Sequence, residues 1–210
     1  MPLEIVSVHF PKAGGTSLAG SLRVHFGEDL ALDYDHDPVH ANYALNEPPH
    51  LAPNIRVVHG HFRGDRYAGP AFRMTFLREP VSNLISIYFF WRAYPESAGQ
   101  LHRRFLAERP AILAFAQYPA IQTLMSETYF GNVDLDQFDF IGFHERRCED
   151  LRRLSGMLGV ELDGDLHLNR TTKAIAEEQA ILSNASLVGA LRNHLSKDVA
   201  LYERLLNRHA

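Results

Sequence analysis

The chain has 210 residues, 21 Lys and Arg against 25 Asp and Glu, a net charge of −4 with its 12 histidines neutral, and one cysteine. That length suits one α/β domain with a sizeable core. The acidic balance weighs against nucleic acid or a long polyanion as partner, both of which want a broad basic face, and one cysteine excludes an internal disulfide framework.

No Pro/Ser-rich linker or internal repeat divides the sequence, so residues 1–210 are read as a single domain. No apolar run approaches the length of a membrane span. The first strand begins a few residues after Met1, which predicts no leader ahead of it. A reducing, cytoplasmic compartment fits the cysteine content.

In chain order, Ile5 to Phe10 is an apolar run that reads as a first strand. Pro11-Lys12-Ala13-Gly14-Gly15-Thr16-Ser17 follows, and Leu18, Leu22, Val24 and Phe26 then repeat at helical spacing. A strand, a glycine turn and a helix make an anion cradle. Backbone N–H groups at the helix start point outward, and the helix dipole favours negative charge there. Gly14 and Gly15 admit a ligand close to the backbone, Lys12 adds a point charge, and Thr16 and Ser17 add hydroxyl donors. The expected guest is a phosphate or sulfate. The nucleotide loop G-x-x-x-x-G-K-[ST] is absent, since lysine here precedes the glycines.

Asp33 to Pro53 reads as a long loop. Val57 and Val58 form a short strand that ends in His59-Gly60-His61. In an extended chain the two histidines share a side. A histidine near neutral pKa can take a proton from a hydroxyl. Two other readings stand: histidines bonded to backbone at a strand end, or a metal pair awaiting a third ligand. Arg63 and Arg66 follow and could meet an acidic acceptor.

Phe72 to Leu77 reads as a buried strand, and Arg78-Glu79-Pro80 opens a helix running through Trp91. Arg78 therefore sits at a strand's C-terminal end, where open parallel sheets place ligands. Ser86 follows on that helix, eight residues on. An arginine fork and a hydroxyl can hold a phosphate monoester. Glu79 is a rival base, though an acid beside an arginine is usually its partner, and Asp65 and Glu145 are weaker rivals.

Two or three helices are predicted between Tyr94 and Tyr129, and Trp91, Tyr118 and Phe130 read either as walls of an acceptor pocket or, as aromatics at such spacing more often are, as core. Phe138 to Phe143 reads as a strand and Glu145 to Leu158 as an amphipathic helix, with Arg146-Arg147 and Arg152-Arg153 taken as solvated pairs. Arg170, Thr171, Thr172 and Lys173 form a basic, hydroxyl-rich loop. A short helix and one long terminal helix, Leu187 to Leu206, complete the pattern. Alternating strands and helices predict a mainly parallel sheet flanked by helices.

PKAGGTSL, residues 11–18, resembles the 5′-phosphosulfate loop of sulfotransferases, and LREPVSNLISIY, residues 77–88, resembles their 3′-phosphate motif, with the arginine-to-serine spacing kept. FIGFHERRCEDLRRLSGMLGV is similar to the family's late strand–helix unit, whose role there is largely structural. The resemblance implies a P-loop NTPase-like sulfotransferase architecture and 3′-phosphoadenosine 5′-phosphosulfate (PAPS) as donor, with no metal expected. It implies Lys12, Ala13, Gly14, Gly15, Thr16 and Ser17 at the donor's 5′ end, Arg78 and Ser86 at its 3′-phosphate, and Arg170 to Lys173 closing over it. The HGH resembles a segment of uronyl and heparan-sulfate sulfotransferases, which implies His61 as base and His59 either orienting it or touching the sulfuryl group. Lys12 would stabilise charge on the leaving oxygen. Many glycan-modifying relatives carry an N-terminal membrane helix, and no apolar run of that kind is read in residues 1–210, a departure from that pattern. A sugar or glycoconjugate hydroxyl is the expected acceptor, with small molecules still open and oligomeric state unread. A P-loop-type kinase, which would need magnesium and a strand-end acid such as Asp33, and a non-catalytic nucleotide binder are the alternatives.

Overall fold

A computed structural model describes residues 3–40, 50–94, 99–162 and 175–209. Five short strands are paired in parallel throughout: β1 (Ile5–Val8), β2 (Leu30–Asp33), β3 (Val57–Gly60), β4 (Phe72–Leu77) and β5 (Phe140–Phe143), in the order β2-β3-β1-β4-β5. Apart from β2 and the start of β4, every strand residue is buried. That is why the strands read as continuous apolar runs: helices cover both faces of a parallel sheet. The α/β fold expected from the sequence, a parallel sheet flanked by helices, is the fold observed.

The helices are α1 (Gly15–Phe26), α2 (Pro80–Ala93), α3 (Gln100–Glu108), α4 (Ile112–Phe115), α5 (Pro119–Gln122), α6 (Arg147–Leu158), α7 (Ile175–Leu182), α8 (Ala185–His194) and α9 (Ser196–Arg208). The strand order places the site. From β1 the chain crosses to β2 and β3 on one side; β4 returns to β1's other flank and leads out to β5. The loops leaving β1 and β4 therefore part in opposite directions from neighbouring strands, the switch point where open parallel sheets bind ligands.

Two boundaries differ from expectation. The single long terminal helix is two helices, α8 and α9, broken at Leu195, which is itself buried. The break lets Asp198, in the first turn of α9, reach the main-chain N–H groups of Met125 and Ser126, both at 2.8 Å. Those N–H groups belong to a π-helical turn, Leu124–Tyr129, where a further helix with ordinary spacing was expected. Such turns are rare and often found at functional sites, and this one ends on Tyr129.

Gly60 closes β3 with no room for a side chain: a Cβ there would lie 1.7 Å from the main-chain oxygen of Asp33 on β2. Gly60→Ala is expected to force the two strands apart at a cost of about 3 kcal/mol, lowering the melting temperature by roughly 10 °C. Scanning calorimetry checks this, and an unchanged melting temperature would contradict the strand packing.

Candidate active site

The turn after β1 is held in an unusual backbone shape. Lys12 (φ 57°) and Gly14 (φ 92°) are both left-handed, a conformation that costs a non-glycine residue about 1 kcal/mol or more. No side chain caps α1, so its first-turn N–H groups keep their capacity for an anion. Ala13, Gly15 and Ser17 are buried and Thr16 is exposed. The glycines have a second duty beyond admitting a ligand. A Cβ on Gly15 would meet the His9 ring at 2.0 Å, and one on Gly14 would meet the Arg147 guanidinium at 2.5 Å.

Lys12 and Arg78 are brought together. Arg78 Nη1 donates to the carbonyl oxygen of Lys12 at 3.1 Å, across 66 residues of sequence. Its Nε, buried, has no hydrogen-bond partner. Burial, and then the Arg78 charge, hold the Lys12 ammonium below its ordinary pKa, while Glu178 of α7 pulls the other way. Lys12 Nζ lies 4.3 Å over the ring of Phe90. Among the described residues neither Lys12 nor Arg78 has a carboxylate at ion-pair distance. Glu79, expected to pair with Arg78, instead accepts from Ser82 N at 2.8 Å as the cap of α2 and lies 3.5 Å from Arg192. Ser86 is half-buried on α2.

Arg147 was not expected here. It begins α6, one 3-10 turn (His144–Arg146) past the end of β5, and its guanidinium packs on Gly14. The pair Arg146-Arg147 had been read as solvated, yet neighbours on a helix face different ways. Arg146 turns to Asp150 (3.1 Å) and the His209 carbonyl (2.5 Å), and Arg147 turns to the cradle. His144 completes the group. Burial, followed by the charges of Arg78 and then Arg147, hold it below its ordinary pKa.

The histidines form a stack rather than a pair. His9, at the end of β1, lies 4.1 Å from the His61 ring and 5.1 Å from the His59 ring, nearly parallel to both. His59 and His61 thus share a side, as the extended chain predicts. His59 is completely buried, accepts or donates at Nδ1 to Ser7 Oγ (2.8 Å), and is pushed down to about 3 by burial first and by His61 second. His59 has no exposed surface, and its side chain bonds Ser7 rather than His61. Stacked rings present faces to one another, and no three His, Cys, Asp or Glu among the described residues are placed to hold a metal ion.

His61 keeps part of its surface exposed. Its Nδ1 is 2.7 Å from the carbonyl oxygen of His9. A carbonyl only accepts, so Nδ1 carries the proton and Nε2 the lone pair. Tyr129, at the end of the π-helical turn, donates its hydroxyl to Asp37 Oδ1 (2.9 Å) and sits 3.3 Å from the same Nδ1. Burial lowers the His61 pKa more than Asp37 raises it. The result is a neutral imidazole with a fixed tautomer beside the anion turn. His9 carries the connection: it bonds His61 through its main chain, packs on Gly15, and is held well below its ordinary pKa by burial first, then by its histidine neighbours His61 and His59 and by the charges of Arg147 and Lys12.

Other expectations are corrected. Trp91, Tyr118 and Phe130 are core residues, 4%, 5% and 3% exposed, so they wall no open pocket, whereas Phe90 beneath Lys12 is 39% exposed and stacks on Tyr94. Arg66 is nearly buried and bonded to Asp33 (2.9 Å), and Arg63 pairs with Asp65. Neither cation is free to meet an acidic acceptor. Asp33 also accepts from Tyr67 (2.7 Å) and bonds His36 (2.6 Å), which fills its carboxylate. Arg170, Thr171, Thr172 and Lys173 lie outside the described residues.

No family model matches the sequence, and no curated protein does. Solved structures do. A sulfotransferase from Alicyclobacillus acidocaldarius is 16% identical, over 97% of this chain and 99% of that one, with a TM-score of 0.45. Mouse sulfotransferase SULT7A1, complexed with PAP, is 13% identical, over 86% of this chain and 65% of that one, with a TM-score of 0.39. Both are sulfotransferases, the family whose motifs the sequence resembles.

Among the described residues no helix is long and apolar enough to cross a membrane.

Proposed function

We propose that the chain moves a sulfuryl group from PAPS to an acceptor hydroxyl, with a sugar or glycoconjugate as the acceptor class. The observation that carries this reading is the bond between Arg78 and the Lys12 carbonyl. It joins two anion-binding motifs at one switch point, with both cations partly desolvated and, among the described residues, no carboxylate at ion-pair distance from either. The residues fit a donor with an anion at each end: Arg78 has a buried Nε without a partner, and α1 has an uncapped first turn.

When bound, the donor supplies an activated sulfuryl group. Lys12 and the N–H groups of Gly15, Thr16 and Ser17 hold the 5′ end and stabilise negative charge there, which a preorganised, water-poor site does well. Arg78 and Ser86 hold the 3′-phosphate. His61 takes the acceptor's proton at Nε2, while the His9 carbonyl, Tyr129 and Asp37 keep the ring in place. A base of this kind contributes about 10²–10⁴-fold.

The test is turnover with PAPS and a panel of sugar, lipid, peptide and phenol acceptors in the presence of EDTA, read by mass spectrometry. A sulfated product is expected with at least one sugar. Phosphorylated product from ATP and magnesium, with none from PAPS, would overturn the proposal.

The role of Arg78 has its own test. Arg78→Ala removes charge-assisted bonds worth about 2 kcal/mol, so adenosine 3′,5′-bisphosphate is expected to bind roughly 30-fold more weakly. AMP, which lacks the 3′-phosphate, should be nearly unaffected. Calorimetric titration of both ligands checks this, and equal losses would make Arg78 a structural residue.

A further inference from the structure

Arg147 has no part in the mechanism above, and its surroundings fit no structural part either. The other arginines of α6 show what a structural arginine looks like here. Arg146 bonds Asp150 and the His209 carbonyl, and Arg153 bonds Asp150 and the Ile141 carbonyl. Among the described residues Arg147 Nη1 and Nη2 have neither kind of partner. Both its Nη atoms are buried without a hydrogen bond, and no carboxylate among the described residues pairs with it. What it touches is the face of Phe76, with Cζ 5.3 Å from the ring centre, and the backbone of Gly14. Withdrawing a cation from water with nothing opposite it destabilises a fold. The location is specific, because a side chain at residue 14 would collide with Nη1. Gly14 is what lets the guanidinium lie against the turn. Its charge is felt by His9, together with that of Lys12, and by His144, together with that of Arg78. All three cations therefore act on one small volume.

We infer that Arg147 is a further binding residue for the donor, supplying a positive charge from behind Gly14 to the anion seated on the Gly14–Ser17 turn. This rests on the proposed function and deepens it. Lys12 and Arg147 serve the 5′ end, and Arg78 serves the 3′-phosphate. Arg147 is assigned to the 5′ end because it lies against the turn after β1.

Arg147→Met keeps an unbranched apolar stem and removes the guanidinium with its charge. Without ligand, the variant is expected to melt at or above the wild-type temperature, because an unpaired desolvated cation is gone. Its affinity for adenosine 3′,5′-bisphosphate should fall 10-fold or more, with the bisphosphate-to-AMP ratio unchanged because both ligands carry the 5′-phosphate. Arg147→Lys should recover part of the lost affinity. A lower melting temperature with bisphosphate affinity within twofold of wild type, failure of Arg147→Met to fold, or no recovery in Arg147→Lys would each overturn the inference. Inorganic sulfate separates it from the functional reading. If the bisphosphate leaves wild type unaffected but sulfate protects wild type more than Arg147→Met, the donor is wrong and the charge role stands. If sulfate protects both proteins equally, the charge role falls.

Discussion

His61→Ala is expected to lower kcat by about 10²–10⁴-fold while the affinity for adenosine 3′,5′-bisphosphate stays within about twofold. The split follows from the geometry. The imidazole stands next to the anion turn through His9 and contributes no cation to it, so its loss removes proton transfer and leaves donor binding. The fixed tautomer adds a second readout. With Nδ1–H committed to the His9 carbonyl, the working atom is Nε2, and protonation there stops catalysis. Burial holds the His61 pKa below its usual value, so kcat/KM should be flat at neutral pH and fall only on the acid side, below about 6.5. Turnover that survived His61→Ala would remove the imidazole from the mechanism. Glu79 would then be a poor substitute, because its carboxylate already caps α2.

Acid should destabilise the protein well before its carboxylates are protonated. His9, His59 and His61 are all depressed, His59 to about 3. The sign follows directly. Above the unfolded value near 6.5 both states are neutral and the full stability is present. As pH falls below it, the unfolded chain binds protons that the folded chain refuses, so stability is lost progressively toward the folded value. For His59 alone the loss is about 1 kcal/mol between pH 6.5 and 5.5, and it approaches about 1.4 kcal/mol per unit below that. His9 and His61 add losses of the same sign. Asp198, whose carboxyl is raised by burial, acts in the opposite sense at lower pH, so the measurement belongs above pH 5. Urea titrations at pH 7.5, 6.5 and 5.5 read the slope directly. His59→Asn, which keeps a polar partner for Ser7, should flatten it. An unchanged slope in that variant would mean His59 is not the neutral buried group the stack implies.

Much of this arrangement was legible in the chain. Gly-Gly between a strand and a helix, and an arginine before Glu-Pro at a strand end, are local signals whose chemistry follows from backbone rules alone. Residues that act through tertiary contacts were not legible. His9 looks like one more residue of an apolar run; only the pairing of β1 with β3, and the close approach to Gly15, reveal the stack. Arg147 reads as half of a charged pair on a helix surface, and its burial depends on Gly14 lying opposite. The wall residues failed for a related reason. Trp91 and Phe90 are adjacent in sequence, and no periodicity says which of them faces the core. The break at Leu195 was hidden because α8 and α9 keep an apolar pattern through it. The contacts it permits, from Asp198 to the π-helical turn, are made to residues 73 and 72 positions away. Tyr129, which steadies His61, owes its place to that same turn.

The most direct measurement is a calorimetric titration of the wild-type protein, without magnesium, with adenosine 3′,5′-bisphosphate and separately with AMP. Lys12 and Arg78 joined at one switch point predict that the bisphosphate binds at least about tenfold tighter than AMP, the worth of one charge-assisted phosphate contact. Equal affinities, or no heat from either ligand, would contradict a single pocket that grips such a nucleotide at both ends.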